Sequence, residues 1–130
     1  MATSPSFVST PRIGRASLSI ANTALDGTGA IETLLIGVAA GTRVLEINTQ
    51  CLATSATALV NLFLSLDGGT TWSLFDQILI SAAISSNTGK AARNLAAYTN
   101  LVLPNANARL GCTTTISQAT QVWALAADLT

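Results

Sequence analysis

A chain of 130 residues is long enough for one domain with a single two-layer core and too short for two. Hydrophobic residues make up 49% and charged residues only 9%, against roughly 25% charged in an ordinary soluble domain, yet no unbroken apolar run approaches the ~18 residues of a membrane helix. Six basic and six acidic residues leave no formal net charge, which argues against a nucleic-acid partner, and the lack of any histidine argues against zinc.

In chain order, residues 1–13 hold Pro5 and Pro11 among serines and threonines, a composition that predicts an extended arm ahead of one β-sandwich domain over 14–130. The stretch MATSPSFVSTPRIGR lacks a charged start followed by an apolar core and is not expected to be a secretory signal. Phe7 and Val8 are the apolar anchors such an arm can dock, and Arg12 and Arg15 are the charges beside them. These four are the candidate assembly contacts.

Alternation of Ala16, Leu18 and Ile20 against Arg15, Ser17 and Ser19 predicts a first strand over 15–21. After an Asp26-Gly27-Thr28-Gly29 turn, a second strand is expected over 31–38 and a third over 43–53. In the third, Leu45, Ile47 and Cys51 would face inward, with Arg43, Glu46, Asn48 and Gln50 towards solvent. Two apolar runs, 57–66 and 71–80, flank Asp67-Gly68-Gly69-Thr70 and predict a hairpin whose glycines take positive φ. Ala58, Val60, Leu62, Leu64 and Leu66 share one face of the first run; Trp72, Leu74, Ile78 and Ile80 share one of the second. Ser85 to Gly89 reads as a loop. The alanines of KAARNLAAY permit a short helix, but strand counting and Leu101-Val102-Leu103 favour a loop and a strand. Strands over 108–116 and 121–129 are expected to close as a hairpin, with Leu110, Cys112, Ile116, Trp123, Leu125 and Leu129 inward.

About eight short strands without a long helix predict an all-β fold, a two-sheet antiparallel β-sandwich that is jelly-roll-like, with an extended N-terminal arm. The many Ala, Ser and Thr on its strands imply closely approaching layers or β-face contacts between subunits. Low charge and zero net charge do little to keep copies apart, pointing to a surface partly covered in an assembly. Cys51 and Cys112 fall in different predicted strands, where either a cross-sheet disulfide or two buried thiols is compatible with their surroundings.

The sharpest motif is Ser65-Leu66-Asp67-Gly68-Gly69-Thr70-Thr71-Trp72, which resembles the S-x-D-x-G-x-T-W Asp-box of sialidases and many other β-proteins. Its physics is local: Asp67 accepts turn N–H groups, Gly68 and Gly69 turn the chain, and Trp72 packs back across the hairpin. One copy, without the arginine cluster of those enzymes, implies a structural turn and no glycosidase. Nothing forces Asp67 and Asp76, or Glu32 and Glu46, into the roughly 5–9.5 Å pairing that glycoside hydrolysis needs. A serine or cysteine nucleophile has no histidine to activate it and only Lys90 as an alternative base. No enzyme, cofactor or metal is expected. Each tryptophan is expected in the core or at a subunit interface.

The segments PRIGRASLSIANTALD, GTRVLEINTQCLATS and LVNLFLSLDGGTTWSLFDQILI resemble, in the same order, a group of small virion proteins of tailed bacteriophages. The resemblance covers most of residues 11–80, and its motifs are turn and core positions. It implies a virion structural protein, first a capsid decoration (cement) protein binding the major capsid protein and stabilising the head shell. The alternative it implies is a tail or fibre component that binds a receptor or glycan. A homotrimer located in the virion after assembly in the bacterial cytoplasm, with no nucleic-acid or membrane partner, is the accompanying expectation.

Overall fold

The computed structural model describes residues 8–129. Eight strands follow one another among the described residues: β1 (Val8–Leu18), β2 (Glu32–Ile36), β3 (Thr42–Cys51), β4 (Ala58–Ser65), β5 (Ser73–Ile80), β6 (Arg93–Leu103), β7 (Arg109–Thr114) and β8 (Thr120–Leu129). They make two four-stranded antiparallel sheets, ordered β1-β8-β3-β6 and β2-β7-β4-β5. The pairing is nested: β1 with β8, β2 with β7, β3 with β6, β4 with β5. A two-stranded ribbon rolled into two layers gives that nesting, so the sandwich is a jelly roll.

The core lies between the sheets. Sheet β2-β7-β4-β5 contributes its bulk through Leu35, Leu110, Cys112, Val60, Leu62, Ile78 and Ile80, all buried. Val44, Ile47, Cys51, Val122, Ala124 and Ala126 face them from the other sheet. The layers meet closely at one edge, where a β-carbon on Gly14 of β1 would stand 2.2 Å from the carbonyl oxygen of Leu34. Only a residue without a side chain fits there. Bulges adjust the parity at several places. One between Val44 and Glu46 turns Leu45 outward while Val44, Ile47, Thr49 and Cys51 point in. Another between Thr33 and Leu35 lets both Leu34 and Leu35 be buried.

Several expectations are corrected. β1 opens at Val8, so the last part of the expected arm, residues 8–13, is edge strand paired with β8. Proline is tolerated there because an edge strand has one side unpaired. Residues 1–7, including Phe7 and Pro5, lie outside the described residues, and of Val8 only the backbone is described. β1 stops at Leu18, leaving Ile20 81% exposed and not on the inner face. The strand favoured over a helix ahead of Leu103 does form, but it starts already at Arg93, within the stretch expected as loop. β4 and β5 do pair, but the connection is a broad loop closed by Leu64 opposite Ser73, and it leaves Leu66 exposed.

The expected closing hairpin does not exist. β7 pairs with β2 and β4, β8 with β1 and β3, and the 115–119 connection crosses between the sheets. Turn residues mark a change of direction and are silent on whether the next strand stays in the same sheet. The inward face of β8 is also the opposite of the one expected: Val122, Ala124 and Ala126 are buried in the core, and Trp123, Leu125 and Leu129 are half-buried on the outer face. Hydrophobicity favours the large residues inside, but the facing sheet already fills the space, so the small set packs inward.

Candidate functional site

The loop between β4 and β5 is built around one carboxylate oxygen. Asp67 Oδ1 accepts bonds from the Thr71 N–H at 2.8 Å, the Thr70 N–H at 3.1 Å and the Ser65 hydroxyl at 2.8 Å. Ser65 Oγ in turn accepts the Gly69 N–H at 2.9 Å. Gly68 and Gly69 hold φ of 77° and 91°, the left-handed region that a β-carbon resists. The Gly68 N–H donates to the Asn107 carbonyl at 2.9 Å, tying the loop to the β6–β7 connection. These donors, Thr71 first and Ser65 next, hold the Asp67 carboxyl down at about 2.

This turn presents Trp72 to the outer face of β2-β7-β4-β5. The indole lies over Gly111 of β7: a β-carbon there would be 2.8 Å from Trp72 Cζ3 and 2.6 Å from Ile31 Cγ2. The 19–31 connection reaches the same place, with Gly27 packed against the Trp72 backbone. Beneath, Phe63 shares the outer-face parity of Gly111 and is completely buried. Trp72 is therefore the lid of a second apolar cluster outside the sandwich, not part of the inner row with Ile78 and Ile80.

Of the four candidate assembly contacts, Phe7 and the Val8 side chain lie outside what is described, and Arg12 and Arg15 are directed apart. Arg12 is engaged within the chain: it donates to Asp128 at 3.0 Å, to the Ile36 carbonyl at 2.9 Å and to the Thr42 hydroxyl at 3.5 Å. Because Ile36 and Asp128 belong to opposite sheets, Arg12 staples one end of the sandwich. Arg15, three residues on and of the other parity, stands over the Trp123 ring at 5.7 Å on the outer face of β1-β8-β3-β6. Alternation along β8 alone places Trp123 inward and so hides this face. The signal was its shared parity with Gln121, the polar neighbour in β8.

Two open clefts flank the sandwich. One, of about 390 Å³, is lined by Leu64, Leu66 and Phe75 with Asp67, Thr71 and Ser73. The other, of about 300 Å³, lies between residues 17–22, Gly29, Ala30, Glu32 and Thr113. Of the two acidic pairs weighed in the sequence, Asp67 is committed to its turn, and Asp76 accepts the Tyr98 hydroxyl at 2.7 Å. Burial, then that hydrogen bond, pushes the Tyr98 phenol upward, so it stays protonated. Cys51 and Cys112 are free thiols. Burial, with a smaller contribution from Glu32, pushes Cys112 up to about 12, which denies it thiolate character at neutral pH. No group of three or more His, Cys, Asp or Glu able to hold a metal occurs among the described residues.

Comparison with protein-family models finds no match, and comparison with curated proteins finds none.

Proposed function

We propose that this chain is a non-enzymatic structural protein of a bacteriophage virion, a decoration subunit that binds the head shell and stabilises it. The reading rests on the sequence resemblance. One structural observation supports it best: a rigid jelly roll whose polar groups serve its own turns while large apolar side chains stud the outside. Ile13 at 67% exposed, Ile20, Leu66 and Ile84 are the clearest of these. Scattered apolar residues are ordinary, but in a chain with so few charges they leave contact chemistry as the surface's main resource. Asp67, Gly68, Gly69 and Trp72 hold the body rigid in this reading, and Arg15 is the candidate contact left facing outward.

Binding to emptied phage heads tests it. The purified chain should co-sediment with heads at a fixed ratio to the capsid subunit and raise their melting temperature. Co-sedimentation with tails and not heads, or saturable glycan binding lost on changing an exposed aromatic, would transfer the role to a tail or fibre protein. Deleting residues 1–7, which leaves β1 intact, should weaken head binding if the arm grips the shell; unchanged binding would remove the arm from the contact.

A further inference from the structure

One edge of β7 is only partly covered. On that side β2 accompanies it as far as Cys112, which faces Glu32, and the next partner is Ala21, bridged to Thr114. Thr113 lies between those two contacts, and the cleft of about 300 Å³ opens there, beside the point where β1 ends at Leu18. One wall is held in place by Asn22, which donates its amide to the Thr28 and Ala30 carbonyls and accepts the Ala24 N–H. The cleft is at the small end of the roughly 300–1,000 Å³ that ligand pockets occupy.

The groups around the cleft are unbalanced in one direction. Among the described residues Glu32 is its only charged side chain; it is exposed and has no hydrogen bond or ion pair. Thr113 is 2% exposed, and its hydroxyl has no partner either. Asn61, its cross-strand neighbour in β4, carries an unpaired Nδ2, but no bond joins the two. Glu32 shares the parity of Cys112 and Thr113 has the other, so the two reach the margin of the sheet from opposite faces. Ser17 and Ser19 add hydroxyls, and Leu18 and Ile20 add apolar surface. A carboxylate can only accept, and a hydroxyl can accept as well as donate. What completes this set is a hydrogen-bond donor with a positive charge.

We propose that the cleft binds a primary alkylammonium group, carried by a free amine or by a lysine side chain of a partner. An ammonium turns its donors in different directions, so one meets Glu32, one gives the Thr113 oxygen the partner it lacks, and the remainder serves Ser17 or Ser19. The hydrocarbon stem lies along Leu18 and Ile20. A guanidinium presents a planar fork, which suits the two oxygens of one carboxylate and not acceptors spread over separate strands. A calcium ion takes about six to eight oxygen ligands with several charges among them, and this cleft has a single carboxylate. The inference goes beyond the proposed virion role and does not depend on it.

Titration of n-butylammonium into the intact chain, followed by amide NMR shifts in amine-free buffer, tests it. The shifts should saturate and centre on residues 17–22, 30–32 and 112–114. Glu32→Gln should weaken the apparent dissociation constant about tenfold or more at an unchanged melting temperature, because a charge-assisted bond to the ligand is lost and none within the fold. Thr113→Val should weaken it about threefold or more and leave the melting temperature unchanged or higher, since a methyl of the same shape replaces an unpaired hydroxyl. Butan-1-ol, which has the same stem and no charge, should not saturate. Shifts that never saturate overturn the proposal, as does butan-1-ol binding as well as the amine, or full affinity in either variant. A lower melting temperature for Thr113→Val would assign its hydroxyl to Asn61 and overturn the proposal too. Nα-acetyl-lysine methylamide separates the two sources: saturation at the same amides assigns the cleft to a partner's lysine side chain, and its exclusion while n-butylammonium binds assigns it to a free amine. Failure to bind heads, with these results intact, would count against the virion role alone.

Discussion

Gly111 offers a sharp test of the cluster outside the sandwich. An alanine there would place its β-carbon 2.6 Å from Ile31 Cγ2, 2.8 Å from Trp72 Cζ3 and 3.0 Å from Trp72 Cη2. Carbon atoms in contact prefer ~3.5–4.0 Å, so both side chains must retreat by roughly 1 Å. Overpacking of this kind costs about 1–3 kcal/mol, and Gly111→Ala should fall near the middle of that range. For a domain of this size the melting temperature should drop by roughly 6–10 °C. Removing the indole by Trp72→Ala should itself cost about 3 kcal/mol, because a half-buried ring is lost and its bed is left open. In that background the Ile31 contact remains but the indole contacts are gone and Ile31 can shift into the vacated space, so Gly111→Ala should cost less by about 0.5–1 kcal/mol. Urea denaturation of the four proteins, followed by circular dichroism so that losing a tryptophan does not alter the signal, completes the cycle. If Gly111→Ala costs the same with and without Trp72, the indole does not cover β7 and the account of the outer cluster is wrong.

The other predictions concern ionisation, the end staple and the thiols. Asp67 has a folded pKa of about 2, below its ordinary value of 3.8, so it contributes stability that is full above that value and lost as pH falls towards 2. Asp67→Asn should abolish that component, so the stability gap between parent and variant should narrow from about pH 4 to about pH 2 in acid titrations. A constant gap would show that the carboxylate charge is not what the turn donors stabilise. Arg12→Met should destabilise by about 1–3 kcal/mol, since the Ile36 carbonyl and Asp128 lose a donor where both sheets end. Loss of under ~0.3 kcal/mol in a urea titration would mean the staple is solvent-screened. Both thiols should be silent to a disulfide reagent in the native chain and react together in urea; rapid labelling of Cys112 before unfolding would contradict its burial.

Much of the architecture was legible because β-strands carry a short period and turns carry specific residues. Asp67, Gly68 and Gly69 announce their loop through chemistry that acts within a few residues, and the hydrogen bonds around Asp67 Oδ1 are of that local kind. Ala58, Val60 and Leu62 announce an inward row that is buried in β4. Bulges defeat such reading: a single extra residue turns Leu45 out and Val44 in, while Ile47 and Cys51 face inward as expected, and nothing in TRVLEINTQC marks the place. The edge position of β1 was equally hidden. Pro11 reads as a strand breaker until it is known that only one neighbour needs its backbone. The partnering of β7 and β8 depends on six other strands, so no local signal from 108–129 carries it. At the candidate site, the Asp67 turn was readable and the Arg15–Trp123 stack was not, because the stack needs the parity of β8.

That parity connects the fold to the surface. A jelly roll has a fixed space between its layers, about 10 Å in face-to-face sheets. In this chain Leu62, Leu110, Ile78 and Ile80 fill it from one sheet, and the opposite strand answers with Ala124 and Ala126. Period two then leaves β8 no choice: if alanines point in, Trp123 and Leu125 point out. Swapping the residues of the two faces would bury more apolar area per residue but overfill a core with no room to expand. The large outward residues are thus a packing consequence of the thin core. They also give the outer sheet face its broad apolar centre. Enlarging Ala124 to leucine should therefore disturb both at once, with the core overpacked and β8 pushed outward beneath Trp123. Loss of stability with the Trp123 fluorescence maximum unmoved would show the two faces of β8 to be mechanically independent.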